Sequence, residues 1–318
     1  MRVLITGITG FVGPYLAEHL VERHPEVEVW GLARWSSDRS DLAPLQDAVR
    51  LVTGDLTDGS SLIRVLQAAQ PEVIIHLAAS STVEGSWATP AEVMEVNVIG
   101  QVNLLEAVRT LELDPIIVIS GSAEAYGKVD PAANPIAEEQ PFRPVSPYAV
   151  SKAAQDLLGY QYFATYGLSI IRLRPFNHTG PRRPDRFVAS SFARQLAEIE
   201  KGKRAPKILV GNLDVVRDLT DVREIARAYW LAVTHGRPGE AYNVCSGVGV
   251  SIRQVLDTLL ALSEEVVQVQ VDPGRLRSAD VPVLYGNRTR FTNATGWQPM
   301  IPLKETLGNL LDWWRARV

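Results

Sequence analysis

The chain has 318 residues, of which 46% are hydrophobic and 21% charged, and its formal net charge is -4. This length predicts about two domains with ample core, and the slight acidity gives no electrostatic reason to expect nucleic acid as a partner. One cysteine excludes an intrachain disulfide, and no apolar run approaches the roughly 18 residues that span a bilayer. The chain opens in the strand-like RVLIT without a charged leader or an apolar signal core, so we expect a cytoplasmic protein with no membrane contact.

Short apolar runs alternate with helix-compatible stretches through the first half of the chain. The runs are RVLIT, VEVWGLA, VRLVTGD, VIIHLAA, PIIVI and SIIRLRP. Continuous apolar strands between helices are typical of a parallel sheet covered on both faces, so we predict a doubly wound α/β (Rossmann) domain over 1–175. Proline and arginine then crowd the chain and the strands shorten. Residues 176–318 are predicted to form mainly a second, smaller α/β substrate domain, with some segments returning to the first.

The first chemical motif is TGITGFVG, which leaves the first predicted strand and enters a helix. Gly7, Gly10 and Gly13 are spaced so that the backbone turns tightly and approaches a pyrophosphate at the helix start. A tight turn with no ligand is the alternative. Because the glycines occupy the first strand-to-helix turn of a βαβ run, the motif predicts a dinucleotide site.

The end of the second strand indicates which dinucleotide binds. An acidic residue there would receive a ribose 2'-hydroxyl, whereas an arginine would receive a 2'-phosphate. The chain offers Arg34, with Ser36 and Ser37 as hydroxyl donors, and no Asp or Glu at that strand end. NADP is therefore favoured, with NAD possible and a solvated loop arginine as the alternative. Asp55, after the third strand, is placed to reach the adenine edge or to act as an ordinary strand-end cap.

The second motif is YAVSK, in which Tyr148 and Lys152 are four residues apart and share one helix face. A tyrosine has an ordinary pKa near 10, and an adjacent ammonium would stabilise its phenolate at neutral pH. Alone, this spacing often arises by chance on a surface. Together with the glycine loop and with Ser122 after the fifth strand, it predicts a catalytic constellation.

The ordered motifs TGITGFVG, GDLTD, HLAA, NVIG, SAEAYG, YAVSK and RPFNHTGP resemble those of the extended short-chain dehydrogenase/reductases that act on nucleotide sugars. The resemblance covers nearly the whole chain. It implies a triad of Ser122, Tyr148 and Lys152, with Asn97 in support, and hydride transfer to or from a sugar carbon. The cofactor-binding residues that it implies are Gly7, Gly10, Phe11, Val12, Gly13, Arg34, Asp55, Leu56, Leu77, Ala78, Ala79, Asn97, Tyr148 and Lys152.

Within that family, the C-terminal half resembles enzymes acting on GDP-linked 6-deoxyhexoses. The segments that carry the likeness are FNHTGP, VGNLDVVRDLTDVREIARAYW and DPGRLRSADVPVLYGN. The likeness implies that arginines grip the substrate phosphates, which suits their fixed donor fork, and that Asp280 binds a ribose diol or the base. Any one of these arginines could equally be a surface ion-pair partner. The substrate-binding residues implied are Ser81, Ser122, Glu124, Asn177, Arg217, Arg277 and Asp280.

Glu124 bears on the choice between the candidate reactions but does not decide it alone, because the loop of the family's reductases also retains a glutamate. In the family's dehydratases a glutamate two residues after the catalytic hydroxyl is the base at C5, and Glu124 stands at that place. Against a dehydratase, the intervening residue is Ala123, FNHTGP replaces FNHESP, and the chain is short. We therefore expect NADPH-dependent reduction of a GDP-4-keto-6-deoxyhexose at C4. A GDP-mannose 4,6-dehydratase is the close alternative, a 4-epimerase is a further one, and a non-catalytic NADP-sensing protein represents another class.

Histidine and cysteine spacing predicts no metal site. His76 lies in an apolar strand and is expected to be a hydrogen-bonded core residue, while Cys245 is expected to be buried and inert. The stretches AEVMEVNVIGQVNLLEAVRTL and SPYAVSKAAQDLLGYQYFATYG carry apolar residues on more than one face. That pattern, and the family's habit of pairing through two such helices, predict a homodimer.

Overall fold

A seven-stranded parallel sheet organises the computed structural model, which describes residues 1–276 and 281–318. The strand order is β10-β6-β5-β4-β1-β2-β3, so the chain winds outward from β1 in both directions. This confirms the predicted doubly wound α/β class. The strands are β1 Arg2–Thr6, β2 Glu28–Ala33, β3 Val49–Thr53, β4 Val73–His76, β5 Ile116–Ser120, β6 Ile170–Pro175 and β10 Ala241–Val244.

Helices cover both faces of this sheet because successive strand side chains point to opposite sides. Val3 and Ile5 of β1 join one buried apolar cluster, whereas Leu4 joins the other. Helices α1 and α8 pack on the first face, and α2, α5 and α6 on the second. The helices of this region are α1 Val12–Arg23, α2 Gly59–Ala69, α3 Val83–Ala88, α4 Pro90–Met94, α5 Gly100–Thr110, α6 Pro147–Tyr166 and α8 Val222–His235, with a π-helical turn over Glu95–Ile99.

Helix α6, which carries the YAVSK motif, has well-defined ends. Ser146 is its N-cap, with a side-chain oxygen that accepts from the backbone N–H of Ala149 at 3.1 Å, and Pro147 occupies the first turn. Gly167 ends the helix in the left-handed region, with φ of 73°. The capped N-terminus therefore fixes the first residue of the helix at Pro147, one residue before Tyr148.

The remaining segments build a smaller α/β unit with its own apolar cluster. Strand β9 is its centre, pairing antiparallel with β11 and parallel with β7 and β13, while β8 and β12 form a separate parallel pair. Thus strand β10 lies in the large sheet and helix α8 packs on it, although both follow parts of the small unit in sequence. The elements are β7 Asn177–Thr179, α7 Val188–Glu200, β8 Lys207–Val210, β9 Val216–Asp221, β11 Gly249–Ser251, α9 Ile252–Leu260, β12 Gln268–Val271, β13 Val283–Leu284, α10 Thr289–Thr295 and α11 Leu303–Arg315.

Among the described residues, no helix combines the length and apolar character required to cross a membrane.

Candidate active site

The glycine loop lies at the carboxyl end of β1, pressed against the backbone after β4. Gly7 has φ of 71°, and a Cβ there would lie 2.7 Å from the Ala78 backbone. A Cβ on Gly13 would lie 2.4 Å from the carbonyl oxygen of Ile8. Helix α1 has no side-chain cap at Phe11 and no acidic residue in its first turn. The loop therefore requires glycine and leaves helix-start amides for an anion, which fits a dinucleotide pyrophosphate.

The next two strand ends carry the residues expected near the adenosine. Arg34 is exposed directly after β2, where the Ser37 N–H donates to its carbonyl at 3.1 Å and closes a turn. Asp55 follows β3, and its Oδ1 accepts from both the N–H and the hydroxyl of Thr57 at 2.9 Å. The Asp55 carboxylate is thus a local turn cap, one of its two predicted roles, while Arg34 presents its charge to solvent at the same edge of the sheet.

The predicted catalytic hydroxyls lie together after β5. Ser122 caps a short 3₁₀ turn, and its Oγ accepts from the backbone N–H of Glu124 at 3.1 Å. Tyr148 keeps some exposed surface, but protein atoms around its phenol raise the pKa to about 12. A hydrogen bond to Ser122 opposes this rise, and the Glu124 charge reinforces it. The structure therefore brings Ser122, Glu124 and Tyr148 into one cluster, with the phenol protonated at neutral pH.

Lys152 lies one helical turn further along α6 and is buried. Its Nζ donates to the Ser120 carbonyl at 2.8 Å and lies 6.0 Å from the centroid of the Tyr148 ring. Burial lowers the pKa of Lys152 to about 7. The Ser120 hydroxyl in turn accepts from Tyr229 at 2.6 Å. The ammonium is thus fixed to the end of β5, close to the phenol ring that it is predicted to assist.

Asn97 has a positional role in the π-helical turn before α5. Its Oδ1 accepts from the Ser80 N–H at 2.7 Å, and its Nδ2 donates to the Ser80 carbonyl and to Ser151 Oγ at 3.1 and 2.9 Å. Ser151 Oγ donates to the carbonyl of Tyr148 at 2.7 Å. Asn97 therefore ties the segment after β4, which includes the exposed Ser81, to the helix that carries Tyr148.

The expected substrate residues lie partly in the small unit. Asn177 begins β7, opposite Leu219 of β9, and Arg217 lies on β9. The Arg217 Nη1 donates to the carbonyls of Val216 and Val281 at 2.9 and 2.7 Å. Two further predicted residues, Arg277 and Asp280, lie outside the described residues.

Comparison with known proteins identifies the family. The family model described as GDP-mannose 4,6 dehydratase matches residues 4–310. The chain belongs to that family. It is therefore an enzyme of the extended short-chain dehydrogenase/reductase type, as its motifs predict.

Individual relatives show which members of the family this chain is similar to. The chain is 34% identical to GDP-6-deoxy-D-mannose reductase of Pseudomonas aeruginosa, over 100% of this chain and 98% of that protein. It is 31% identical to GDP-mannose 4,6-dehydratase of Vibrio cholerae, over 98% and 92% of the two chains. The solved structure of RMD from Pseudomonas aeruginosa complexed with NADPH superposes with a TM-score of 0.87 at 34% identity, covering 100% and 99% of the two chains. Relatives of both leading reaction types thus match almost end to end.

Two residues near the site are not among the predicted site residues, although the sequence places His178 near the substrate loop. Arg183 lies between β7 and α7, and its charge lowers the pKa of Tyr148. His178 stacks on Phe11 with ring centroids 5.9 Å apart, and burial together with the charge of Arg183 lowers its pKa to about 3. The arginine pair that follows HTGP was the available signal, but nothing in the sequence says which of the two faces the site.

The remaining predictions concern residues that lie outside the predicted catalytic cluster. His76 is buried and its Nδ1 shares a hydrogen bond of 2.8 Å with the Thr6 hydroxyl, as predicted for a core histidine. Cys245 is buried, which raises the pKa of its thiol well above the ordinary value. Over residues 1–276 and 281–318, no group of three His, Cys, Asp or Glu side chains is placed to hold a metal ion.

Proposed function

We propose that the protein is a cytoplasmic, NADPH-dependent reductase that acts at C4 of a GDP-4-keto-6-deoxyhexose, with Tyr148 as the proton donor. The observation that carries the proposal is the end-to-end likeness, at 34% identity, to a GDP-6-deoxy-D-mannose reductase. A reduction begins with a protonated donor, whereas a dehydratase or an epimerase must first take a proton from the C4 hydroxyl. The phenol of Tyr148, whose pKa is raised by burial, fits the role of a protonated donor.

The chain's own residues then have separate tasks. Tyr148 donates its proton to the sugar oxygen, Ser122 holds that oxygen by a hydrogen bond, and Lys152 assists the phenol from one helical turn away. Asn177 and Arg217 are proposed to contact the sugar nucleotide, with Arg217 directed at phosphate oxygens.

The cofactor proposal rests on the glycine loop and Arg34. When bound, NADPH supplies the hydride for the sugar carbon. The loop around Gly7 and Gly13 admits the pyrophosphate, and the exposed Arg34 is proposed to hold the 2'-phosphate. Arg34→Ala should therefore weaken NADPH binding about tenfold to hundredfold and leave NADH binding nearly unchanged, as measured by titration calorimetry. Equal losses for both cofactors would contradict this role.

A 4,6-dehydratase remains the second candidate because of Glu124. Over residues 1–276 and 281–318, no hydrogen bond or ion pair engages its carboxylate, although the charge is close enough to act on Tyr148. A carboxylate left available beside the catalytic phenol suits a base at C5.

One incubation separates the candidates. Pure protein is mixed with NADPH and GDP-4-keto-6-deoxymannose, and in parallel with NADP⁺ and GDP-mannose, and the sugar products are identified by NMR. The proposal expects NADPH consumption and a 4-hydroxy product in the first mixture only. Conversion of GDP-mannose to its 4-keto-6-deoxy form would establish the dehydratase. Inactivity in both mixtures despite tight NADP binding would favour the sensor.

We also propose that the protein is a homodimer that pairs through α6 and the π-helical turn before α5. Val150, Leu157 and Tyr160 are spaced along one side of α6 and are 41%, 60% and 51% exposed. Ile99 adds a further apolar side chain, 51% exposed. A contiguous apolar face of this kind favours burial against a second copy. Light scattering at micromolar concentration should give twice the chain mass, and a monomeric mass would refute the proposal.

A further inference from the structure

Arg217 lies between two very short strands of the small unit. Val250 of β11 is opposite Arg217 on one side of β9, and Leu284 of β13 is opposite it on the other. Strand β11 has three residues and β13 has two. The Arg217 Nη1 donates to the carbonyl of Val281, just before β13, at 2.7 Å. The position of this guanidinium therefore depends on how firmly the neighbouring strands are held beside β9.

The carboxylate of Asp218 holds the chain next to both of these strands. Its Oδ1 accepts from the backbone N–H of Ser246 at 2.7 Å and from the hydroxyl of Ser246 at 2.6 Å. Its Oδ2 accepts from the N–H of Gly247 at 2.9 Å and from the N–H of Gly286 at 3.3 Å. Ser246 and Gly247 lead into β11, and Gly286 follows β13. One carboxylate thus joins β9 to the chain before β11 and to the chain after β13.

Asp218 is enclosed by these donors. It is 0% exposed, and within residues 1–276 and 281–318 its carboxylate forms no ion pair. Burial raises its pKa, and the four hydrogen bonds oppose that rise. Gly247 has φ of 79°, and a Cβ on Gly286 would lie 2.6 Å from the Phe176 ring. Glycine therefore stands at two of the places where the backbone closes on the carboxylate.

Asp218 acts on Arg217 through the backbone and not by direct contact with a ligand. Neighbouring residues of a strand point to opposite faces of the sheet. Arg217 is half-buried on one face of β9, whereas Asp218 is buried on the other. The hydrogen bonds of Asp218 therefore fix the strands that border Arg217 from the side away from its guanidinium.

We propose that Asp218 is a positioning residue for the sugar-nucleotide site, and that it holds β11 and β13 so that the Arg217 guanidinium meets the phosphate oxygens in one fixed place. The inference rests on the proposed function, in which Arg217 contacts those phosphates. A side chain that is already held in its binding position loses less conformational freedom when the ligand arrives. Loosening the two strands should therefore weaken nucleotide binding without altering proton transfer at Tyr148.

The test measures the binding of GDP by titration calorimetry, which needs no turnover. Asp218→Asn replaces one acceptor oxygen by an amide N–H that faces other N–H donors, so at least one of the four hydrogen bonds is lost. The dissociation constant of GDP should rise about tenfold, a coupling of the size found between residues of one network. With the 4-keto sugar nucleotide as substrate, KM should rise likewise at nearly constant kcat.

Asp221→Asn is the matched control. Asp221 lies on the same strand and is 2% exposed, but its carboxylate accepts from Thr306 and Arg223, which belong to neither β11 nor β13. This variant should lose stability in urea titrations and keep the GDP dissociation constant of the parent. A rise in that constant equal to the rise in Asp218→Asn would mean that any buried carboxylate of β9 has the same effect, and it would overturn the proposal.

A double-mutant cycle shows whether Asp218 acts through Arg217. GDP binding is measured in Arg217→Met, in Asp218→Asn and in the double variant. Asp218→Asn should have little further effect when Arg217→Met is already in place, because the side chain that it positions is gone. A general loosening of the fold would instead weaken GDP binding by the same factor in both backgrounds, and that result would contradict the positioning role.

The parent protein's own affinity for GDP separates this proposal from the function on which it rests. If the parent binds no GDP, the proposed substrate class fails and the role of Asp218 fails with it. Equal GDP binding by the parent and Asp218→Asn overturns the positioning role alone. If Asp218→Asn does not fold, Ser246→Ala removes one donor to the carboxylate and should raise the dissociation constant about two- to fivefold when Arg217 is present. No rise in Ser246→Ala would then overturn the proposal.

Discussion

The molecule buries arginines in two different surroundings. Arg174 lies under the active-site turn with both terminal nitrogens and Nε engaged, and it donates to both Asp156 oxygens at 2.8 and 2.9 Å. Arg172 donates to the same carboxylate at 2.8 Å. The carboxylate raises the pKa of Arg174, whereas burial lowers that of Arg183, which forms no ion pair with a carboxylate among the described residues. The same type of side chain thus pairs with a carboxylate under the active-site turn, whereas between β7 and α7 it packs on the aromatic rings of Phe11 and Phe187.

The paired cluster also explains how the catalytic turn is held. Arg174 donates to the Tyr126 hydroxyl at 2.9 Å, and that hydroxyl donates to the Asn243 side chain at 2.7 Å. Tyr126 ends the 3₁₀ turn that begins after Ser122. Changes in the cluster should therefore act on stability first, and changes at Tyr148 on turnover alone.

Tyr148→Phe gives the largest expected effect. Removing the phenol oxygen deletes the proton donor, so turnover of the 4-keto sugar nucleotide should fall about a hundredfold to ten-thousandfold. Urea unfolding should show little loss of stability, because no buried group loses its charge partner. Turnover within a few-fold of the parent would remove Tyr148 from the mechanism.

Asp156→Asn tests the other side of the comparison. It leaves Arg172 and Arg174 buried without their anion, so the free energy of unfolding should fall by about 3–5 kcal/mol in urea titrations. The control is Asp312→Asn, which removes an ion pair with Arg315. Because the Asp312 side chain is 68% exposed, the free energy of unfolding should fall by less than about 1 kcal/mol. A similar small loss in both variants would mean that the buried cluster does not stabilise the fold.

The fold and much of the site follow from local sequence signals, whereas charge balance does not. Glycine spacing predicts the loop at Gly7 and Gly13 because a side chain there would collide with the backbone. The four-residue interval between Tyr148 and Lys152 likewise places both side chains on one face of α6. The pairing of Asp156 with two strand residues, and the absence of a carboxylate near Arg183 among the described residues, depend on packing between distant segments. No local pattern encodes those distances.

The buried Lys152 should make the stability of the protein depend on pH, an effect of intermediate size. Burial lowers its pKa from 10.5 to about 7, so between these values the unfolded chain binds more protons than the folded one. Stability of the cofactor-free protein should therefore rise with pH across this window, by at most about 1.4 kcal/mol per unit. Below about pH 7 both states are protonated and the full penalty of burying the ammonium remains.

The variant Lys152→Met isolates this contribution. Relative to Lys152→Met, the parent should gain stability between about pH 7 and pH 9 in urea titrations. The exposed Lys304, changed to Met, is the control and should show no such difference from the parent. Parallel profiles for the parent and Lys152→Met would show that the buried ammonium is not destabilised.

Glu124→Gln gives the smallest expected effect, and its size decides between the two leading reactions. Glutamine preserves the shape of the side chain but cannot act as a carboxylate base. In a reductase the proton comes from Tyr148, so turnover should fall tens-fold at most, and loss of the negative charge should lower the pKa of Tyr148, because Glu124 raises it. In a dehydratase the base at C5 is lost, and turnover should fall about a hundredfold to ten-thousandfold. We expect the smaller loss, measured with NADPH and a GDP-4-keto-6-deoxy sugar. Bound NADPH that accumulates when GDP-mannose is added would instead make the Glu124 carboxylate the base at C5.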